Sequence, residues 1–366
     1  MALAEDRGGI WLVGGAVRDI LLGREPSELD ILVEGELEPV ARQLGDPVFH
    51  ERFGTATVIS PDGRYDLATP RSEIYPAPGA LPEVAPAGVE EDIRRRDFTV
   101  NAIAVSLPDG REVSHPSARE DLSAGILRVL HPGSFSDDPM RVWRMARYAG
   151  RLGFEPDSQT AAMAAAAAPG EASGERIGAE LRLVLAEPDP CAALEALGRY
   201  CPQCLPPGFD PRPAALDDAL ELLPEDGNRG LTVLAACCAG MDVEGLGRWL
   251  AGLGFPAADR DLVLASSRWV TGAPLRAAEG PVEVARAARG APVEAVALAG
   301  GPNAARWIDE LRHVRLEIDG DDLLAAGLEP GPQVGEALQR ALEAKLEGRA
   351  SGRQQEIAAA LGKEDR

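Results

Sequence analysis

Glu28-Leu29-Asp30 opens the short apolar run "LDILV" and sets two carboxylates two residues apart. Alternate residues of a β-strand point to one face, so two acids at this spacing can share a metal ion. The ordinary alternative for such a pair is a solvated carboxylate at a strand edge. A third acid, Asp66, lies in a later strand-like run, "RYDLATP". Three acidic side chains converging from two strands form the arrangement needed to hold Mg²⁺ beside a nucleotide's phosphates and to activate a hydroxyl.

The surroundings of that pair read as a small α/β head. "IWLVGG", "LDILVEG", "PVFHERFGTATVIS" and "RYDLATP" have the apolar pattern of strands, and "AVRDILLG" and "LEPVARQLG" that of helices between them. Gly14-Gly15 follows the first strand and opens a helix that carries Arg18 and Asp19. Paired glycines there let backbone approach a triphosphate, and the helix N-terminus offers free N–H groups. After residue 137 the pattern changes to alanine- and leucine-rich segments with Pro/Gly breaks, which predicts an all-helical second part. Helix is expected in 160–174 as far as Pro169, and "CPQCLPPGFDPRPAA" (201–215) reads as a joint between helical subdomains.

The chain has 366 residues, 45% of them hydrophobic, enough for two or more packed domains. No apolar run approaches the roughly 20 residues that a membrane span needs. "MALAEDRGGIWLV" lacks a basic n-region and a cleavage pattern, so a cytoplasmic enzyme is expected. Five cysteines in a chain of this length argue for reduced thiols. The formal net charge of −22 excludes a broadly basic nucleic-acid binder, so phosphate contacts must come from local clusters. The positive charge is almost all arginine, since the only lysines are Lys345 and Lys363.

Two arginine clusters stand out. "RRRDFTVNAIAV" (94–105) sets Arg94, Arg95, Arg96 and Asp97 immediately before what reads as an apolar helix. "DDPMRVWRMARYAGRLGF" (137–154) sets Asp138 at a helix start with Arg141 three residues later. On that helix Arg141, Arg144, Arg147 and Arg151 share a face beside an apolar stripe of Val142, Met145, Ala149 and Leu152. One stripe packs, and the basic one is either a solvated face or a ligand track.

The motifs "GGAVRDILLGREPSELDILV", "YDLATPRSEIYPAPGALPEV", "EEDIRRRDFTVNAIAV", "DDPMRVWRMARY" and "SGERIGAEL", in that order, resemble those of class II tRNA nucleotidyltransferases and bacterial poly(A) polymerases, the CCA-adding enzyme family. "GDDLLAAGLEPGPQVGEAL" (320–338) resembles the family's C-terminal helical region, so the resemblance spans about residues 10–345. It implies an α/β nucleotidyltransferase head related to DNA polymerase beta over 1–136, a helical neck with a nucleotide-reading helix over 137–200, and a helical, tRNA-binding body and tail over 201–366.

Residue by residue, the resemblance implies that Glu28 and Asp30 are the metal pair and, with Asp66, the catalytic acids. Gly14 and Gly15 form the phosphate-approach turn, Arg18 is a further phosphate contact, and Arg96 and Asp97 belong to a ribose-recognising motif. Asp138 and Arg141 occupy the base-reading positions. A carboxylate accepts from the amino group that cytosine and adenine share, and Arg donates to the neighbouring ring acceptor. Arg144 and Arg147 extend this nucleotide site, and Arg151 and Arg176 are candidates for tRNA contact. Glu28 departs from the family, which almost always has Asp there; it is still a hard oxygen ligand, one methylene longer, that a small backbone shift or rotamer change accommodates.

The implied activity is template-independent addition of CCA to tRNA 3′ ends from CTP and ATP, with two Mg²⁺ ions, release of pyrophosphate, and no membrane or protein partner. CC-only or A-only addition and poly(A) synthesis are the alternatives within the family, and a catalytically inactive RNA-binding protein is the alternative outside it. Cys201, Cys204, Cys237 and Cys238 suggest a zinc site only weakly, because adjacent cysteines rarely face one ion. His50, His115, His131 and His313 are isolated, and none is followed by Asp.

Overall fold

A computed structural model describes residues 9–50, 54–61, 63–168 and 172–363. The chain divides into two compact units, Met1–Pro206 and Pro207–Arg366, and the division falls inside the 201–215 stretch. The first unit opens with β1 (Ile10–Val13), α1 (Gly14–Leu21), β2 (Leu29–Val33) and α2 (Leu37–Leu44). There follow β3 (Pro47–His50), β4 (Thr55–Ser60), β5 (Gly63–Ala68), β6 (Arg71–Ile74), β7 (Glu83–Pro86) and α3 (Val89–Arg94). β8 (Ile103–Ser106), β9 (Glu112–Ser114), α4 (Ala118–Ala124), β10 (Ile126–Leu127) and α5 (Ser134–Asp137) complete the head. The apolar helix expected after Asp97 is instead a single 3-10 turn, Thr99–Asn101, followed by β8, whose backbone is paired on both edges, with β1 and with β9.

Seven strands form one sheet in the order β3-β4-β5-β2-β1-β8-β9. β1 lies inside it, antiparallel to both β2 and β8. Its unbroken apolar run fits that place, because a strand covered on both faces has no polar side to show. Ile10, Ile31 and Val33 pack on one face with Val40 and Ala41 of α2, and Trp11, Val13 and Leu32 on the other with Val89 and Ile93 of α3. The run 47–60, expected as one strand, is instead the antiparallel pair β3 and β4, with residues 51–53 of the connection outside the described residues.

Helices dominate thereafter: α6 (Met140–Leu152), α7 (Ser158–Ala165), α8 (Gly174–Leu185) and α9 (Pro190–Tyr200). Pro169, where a helical stop was expected, lies outside the described residues, and α7 ends at Ala165. Beyond residue 137 the one departure from helix and turn among the described residues is the two-residue strand β11 (Glu155–Pro156), paired in parallel with β10. In α6, Val142, Met145 and Leu152 are buried as the stripe predicts, and Trp143 and Arg141 are buried with them.

In the second unit the described residues form helices and no strand. Leu275, Val284, Val296 and Ile308 centre one apolar cluster, and Ile318, Leu323, Ala337 and Ala341 another. Asp319 caps the helix Gly320–Ala325 through a reciprocal box with Asp322. In "GLEPGPQVG" Leu328 and Val334 pack against the second cluster, so this stretch is a packed joint between helices. No helix of the described residues is long and apolar enough to cross a membrane.

Gly150 sits where α6 and α9 cross closely. A Cβ there would lie 2.5 Å from the Ala193 backbone nitrogen and 2.9 Å from the Ala192 carbonyl carbon on α9. Backbone atoms cannot turn aside as a side chain can, so α6 and α9 would have to separate. Overpacking of about 1–3 kcal/mol outweighs the roughly 1 kcal/mol that alanine gains in a helix, so Gly150→Ala should be net destabilising by up to about 2 kcal/mol. Denaturant unfolding measures it, and a variant at least as stable as the parent would show that the crossing is not tight.

Candidate active site

β2 and β5 run parallel, with Leu29 opposite Tyr65 and Asp30 opposite Asp66. Glu28 lies on the bend just before β2, one residue outside the strand that the sequence suggested for it. Carboxylate oxygens of Glu28, Asp30 and Asp66 come within 4.8 Å of one another, the only grouping of three or more His, Cys, Asp or Glu side chains among the described residues that could share an ion. Thr57, opposite Asp66 on β4, donates its hydroxyl to Asp66 Oδ1 at 2.7 Å. Arg64, two residues before Asp66, approaches Asp66 Oδ2 at 3.0 Å and Glu28 Oε2 at 3.8 Å.

The electrostatics fit a cation site. Burial first, then the Glu28 charge, push the Asp30 carboxyl up to about 6, with Asp66 adding to the rise while Arg96 and Arg18 oppose it. A hard divalent ion relieves such repulsion, and carboxylate oxygens are its preferred ligands.

The turn from β1 into α1 runs through Gly14, whose φ of +64° favours glycine. A Cβ at Gly14 would also collide with the Arg96 guanidinium and would lie 3.6 Å from Asp30 Oδ2, so the bare backbone lets these groups close on one another. Gly15 lines the cleft alongside, and no side chain caps the N-terminus of α1.

The guanidinium groups around this turn are held by buried acids. Asp92, 0% exposed, accepts from Arg95 Nε at 3.0 Å and from Arg96 Nη2 at 3.1 Å. Glu73 accepts from Arg71 Nη2 and Arg95 Nη1, each at 2.8 Å, and from the Tyr75 hydroxyl at 3.0 Å. Burial, then the Glu73 charge, push the Tyr75 phenol up to about 12, so it remains a donor. Arg96 Nε is buried without a partner.

Asp97 is buried and accepts from the Phe98 amide at 2.8 Å and Asn101 Nδ2 at 2.9 Å, with Arg144 Nη1 3.9 Å away. Arg18 does not reach the cleft wall. It is 2% exposed, bonded through Nη1 to Asn101 Oδ1 at 2.6 Å and through Nε to Asp19 at 2.9 Å, and it lies over the Tyr148 ring.

α6 brings the second half of the site. Asp138 Oδ1 accepts from the Met140 amide at 3.2 Å and from Arg176 Nη2 at 2.7 Å. Arg141 is buried, giving Nη1 to Ser134 Oγ at 2.7 Å and Nη2 to the Arg95 carbonyl at 2.8 Å. Its other basic neighbours face acids: Arg144 Nε donates to Glu180 at 3.2 Å, Arg147 lies 3.6 Å from Glu187, and Arg151 lies 3.3 Å from Asp19. The basic stripe is thus largely an ion-paired surface.

One cleft of about 360 Å³ gathers Gly15, Asp30, Arg96, Asp97, Asp138, Arg141, Arg144 and Arg176. Arg176, which the sequence placed with tRNA contacts, is on its wall; Arg18, Arg147 and Arg151 are not. Arg71, Glu73, Tyr75, Asn101 and Tyr148 also line it, and sequence reasoning gave them no role. A signal was present for three of these: Arg71, Glu73 and Tyr75 alternate, which puts polar side chains on one face of a strand. Among the described residues the cysteines form no group that could hold a metal: Cys201 and Cys204 have Sγ atoms 3.0 Å apart, and these two, Cys237 and Cys238 are all buried and outside any disulfide.

A poly A polymerase head domain matches residues 10–128. The CC-adding tRNA nucleotidyltransferase of Deinococcus radiodurans is 34% identical over 342 residues, covering 89% of this chain and 82% of that protein. The A-adding tRNA nucleotidyltransferase of Halalkalibacterium halodurans is 37% identical over 209 residues, 53% of this chain and 49% of that one. Among solved structures, apo form II of a CCA-adding enzyme is similar with a TM-score of 0.82 and 26% identity, covering 97% of this chain and 92% of that one. The chain belongs to this family of tRNA nucleotidyltransferases, and it has the family's mixed-sheet head followed by helices.

The raised Asp30 carboxyl has a measurable consequence in metal-free protein. A carboxyl whose folded-state pKa is raised contributes stability fully present below its ordinary value of 3.8 and lost as pH rises through about 6. Asp30→Asn removes that loss. With a chelator present the variant should therefore melt above the parent at pH 7.5, by at most roughly 3 kcal/mol at ~1.4 kcal/mol per pKa unit, and the gap should close towards pH 4. A gap independent of pH would assign the titration to another group.

Proposed function

We propose that this chain adds CCA to the 3′ ends of tRNA, taking CTP and ATP without a nucleic-acid template and releasing pyrophosphate. The observation that carries the reading is that Asp30 of the acidic cluster and the Asp138/Arg141 pair open into one cleft. The names of related proteins, which include CC-adding, A-adding and CCA-adding enzymes, support the same class of reaction.

In this reading Glu28, Asp30 and Asp66 hold two Mg²⁺ ions, which when bound supply a lowered pKa for the attacking 3′-hydroxyl and neutralise charge at the α-phosphate. The chain's own residues do the rest. Gly14 and Gly15 let the backbone approach the triphosphate, and Arg96, which lines the same cleft, adds a guanidinium donor there. Asp97, fixed by Asn101, orients Arg144 beside the ribose. Asp138 accepts from the exocyclic amino group of cytosine or adenine, and Arg141 donates to the adjacent ring acceptor. Uracil and guanine present a carbonyl where Asp138 needs a donor. In the same reading Arg151 and Arg176 contact the tRNA end, each exchanging an internal carboxylate partner, Asp19 or Asp138, for the RNA.

A second reading, addition of CC alone, is favoured by the similarity to the Deinococcus radiodurans protein over most of both chains. Sizing the products made on tRNA that lacks its 3′ end separates the two. Complete CCA addition gives two added residues with CTP alone and three with CTP plus ATP. Two residues in both mixtures would establish the CC-adding reading, and a long ladder with ATP would establish a poly(A) polymerase.

Nucleotide choice provides a separate check. Asp138→Ala should narrow the preference for CTP and ATP over UTP and GTP, since each mismatched base edge is worth about 1–3 kcal/mol. Equal slowing with all four nucleotides would make Asp138 a structural residue at the start of α6.

A further inference from the structure

The parallel pairing that sets Asp30 opposite Asp66 also sets Arg64 at the level of Glu28, and Arg64 shares a strand face with Asp66. Its guanidinium spans two of the three acids. Nη2 donates to Asp66 Oδ1 at 3.3 Å, Nε is 3.0 Å from Asp66 Oδ2, and Nε is 3.8 Å from Glu28 Oε2. With the Thr57 hydroxyl on Oδ1, both Asp66 oxygens are engaged within the protein. A divalent ion that takes Asp66 as a ligand has to compete with these donors. The arm is mobile enough to leave, because the Arg64 side chain is 53% exposed and Glu28 is 46% exposed. Glu28 also gains a reason for its length: the extra methylene carries its carboxylate out towards the guanidinium.

We propose that Arg64 is a resident counter-cation of the acidic cluster, which neutralises Glu28 and Asp66 while no metal is bound, is displaced by the incoming ion, and so sets the site's metal affinity. This rests on the reading that Glu28, Asp30 and Asp66 hold a divalent cation. It concerns this chain's side chains alone and requires no nucleotide or RNA.

The test is a titration of the full chain with Mn²⁺, followed by calorimetry or by the loss of the free-ion paramagnetic signal. Arg64→Met removes the charge and keeps the length, Arg64→Gln is a second uncharged variant, Arg64→Lys retains the charge, and circular dichroism establishes folding of each. Either uncharged variant should bind Mn²⁺ about two- to fivefold more tightly than the parent at low salt, the scale expected of an exposed ion pair. The difference should shrink at high salt, and Arg64→Lys should stay near the parent. Unchanged or weaker binding in a folded uncharged variant would overturn the proposal and make Arg64 a clamp that orients Asp66. Asp30→Asn serves as the control: if it bound Mn²⁺ like the parent, the metal reading itself would fail, whereas loss of binding there with no change at Arg64 defeats only the counter-cation.

Discussion

One strand pairing organises the head. Within a sheet whose other pairings are antiparallel, β2 and β5 run parallel, and only that register sets Asp30 level with Asp66. Like charges facing each other across strands are destabilising, and burial at Asp30 adds to the cost. The rest of β2 offsets it: Ile31, Leu32 and Val33 are all buried against the two faces of the head. The apolar half of the strand holds the acidic half in place, so the facing of Asp30 and Asp66 is set by the backbone register.

Around that cluster the arginines are positioned by acids of this same chain. A net charge of −22 denies the protein a general attraction for phosphates, yet the cleft collects Arg71, Arg95, Arg96, Arg141, Arg144 and Arg176. Asp92 and Glu73 fix the first three, and Glu180 and Asp138 meet the last two. Guanidinium groups held this way lose little side-chain entropy when an anion arrives. Any such ligand therefore meets preorganised donors, and its gain is the difference between its own contacts and those it replaces.

Much of this was legible in the chain. The acid-x-acid pair, the Gly-Gly turn, the later Asp66 and the change to helix after residue 137 follow from local spacing, and spacing is what a sequence displays. Pairing across long separations is not displayed. The basic face of α6 reads as a track on a helical wheel, but Glu180, Glu187 and Asp19 arrive from elements far away in the chain to meet it. Arg18 is a phosphate contact only by what the resemblance implies, and its partners, Asn101 and the Tyr148 ring, come from distant parts of the chain. Arg64 gave no signal at all, because its meaning lies in the register of β5 against β2.

The two members of the α6 pair differ in freedom, and that difference bears on how one site could serve two bases. Arg141 is buried and bonded through both terminal nitrogens, to Ser134 and to the Arg95 carbonyl, so its orientation is set by two separate parts of the head. Asp138 is tied to the Met140 amide at its own helix start, but its other partner, Arg176, comes from α8 with its side chain 27% exposed. Arg176 in turn donates to the Gly79 carbonyl between β6 and β7. A fixed donor beside an exchangeable acceptor is suited, on the proposed reading, to a cytosine and an adenine that share an edge pattern and differ in ring size. On that reading the fixed guanidinium would set which edge is accepted, and the Asp138–Arg176 contact would be the part that gives when the larger ring enters.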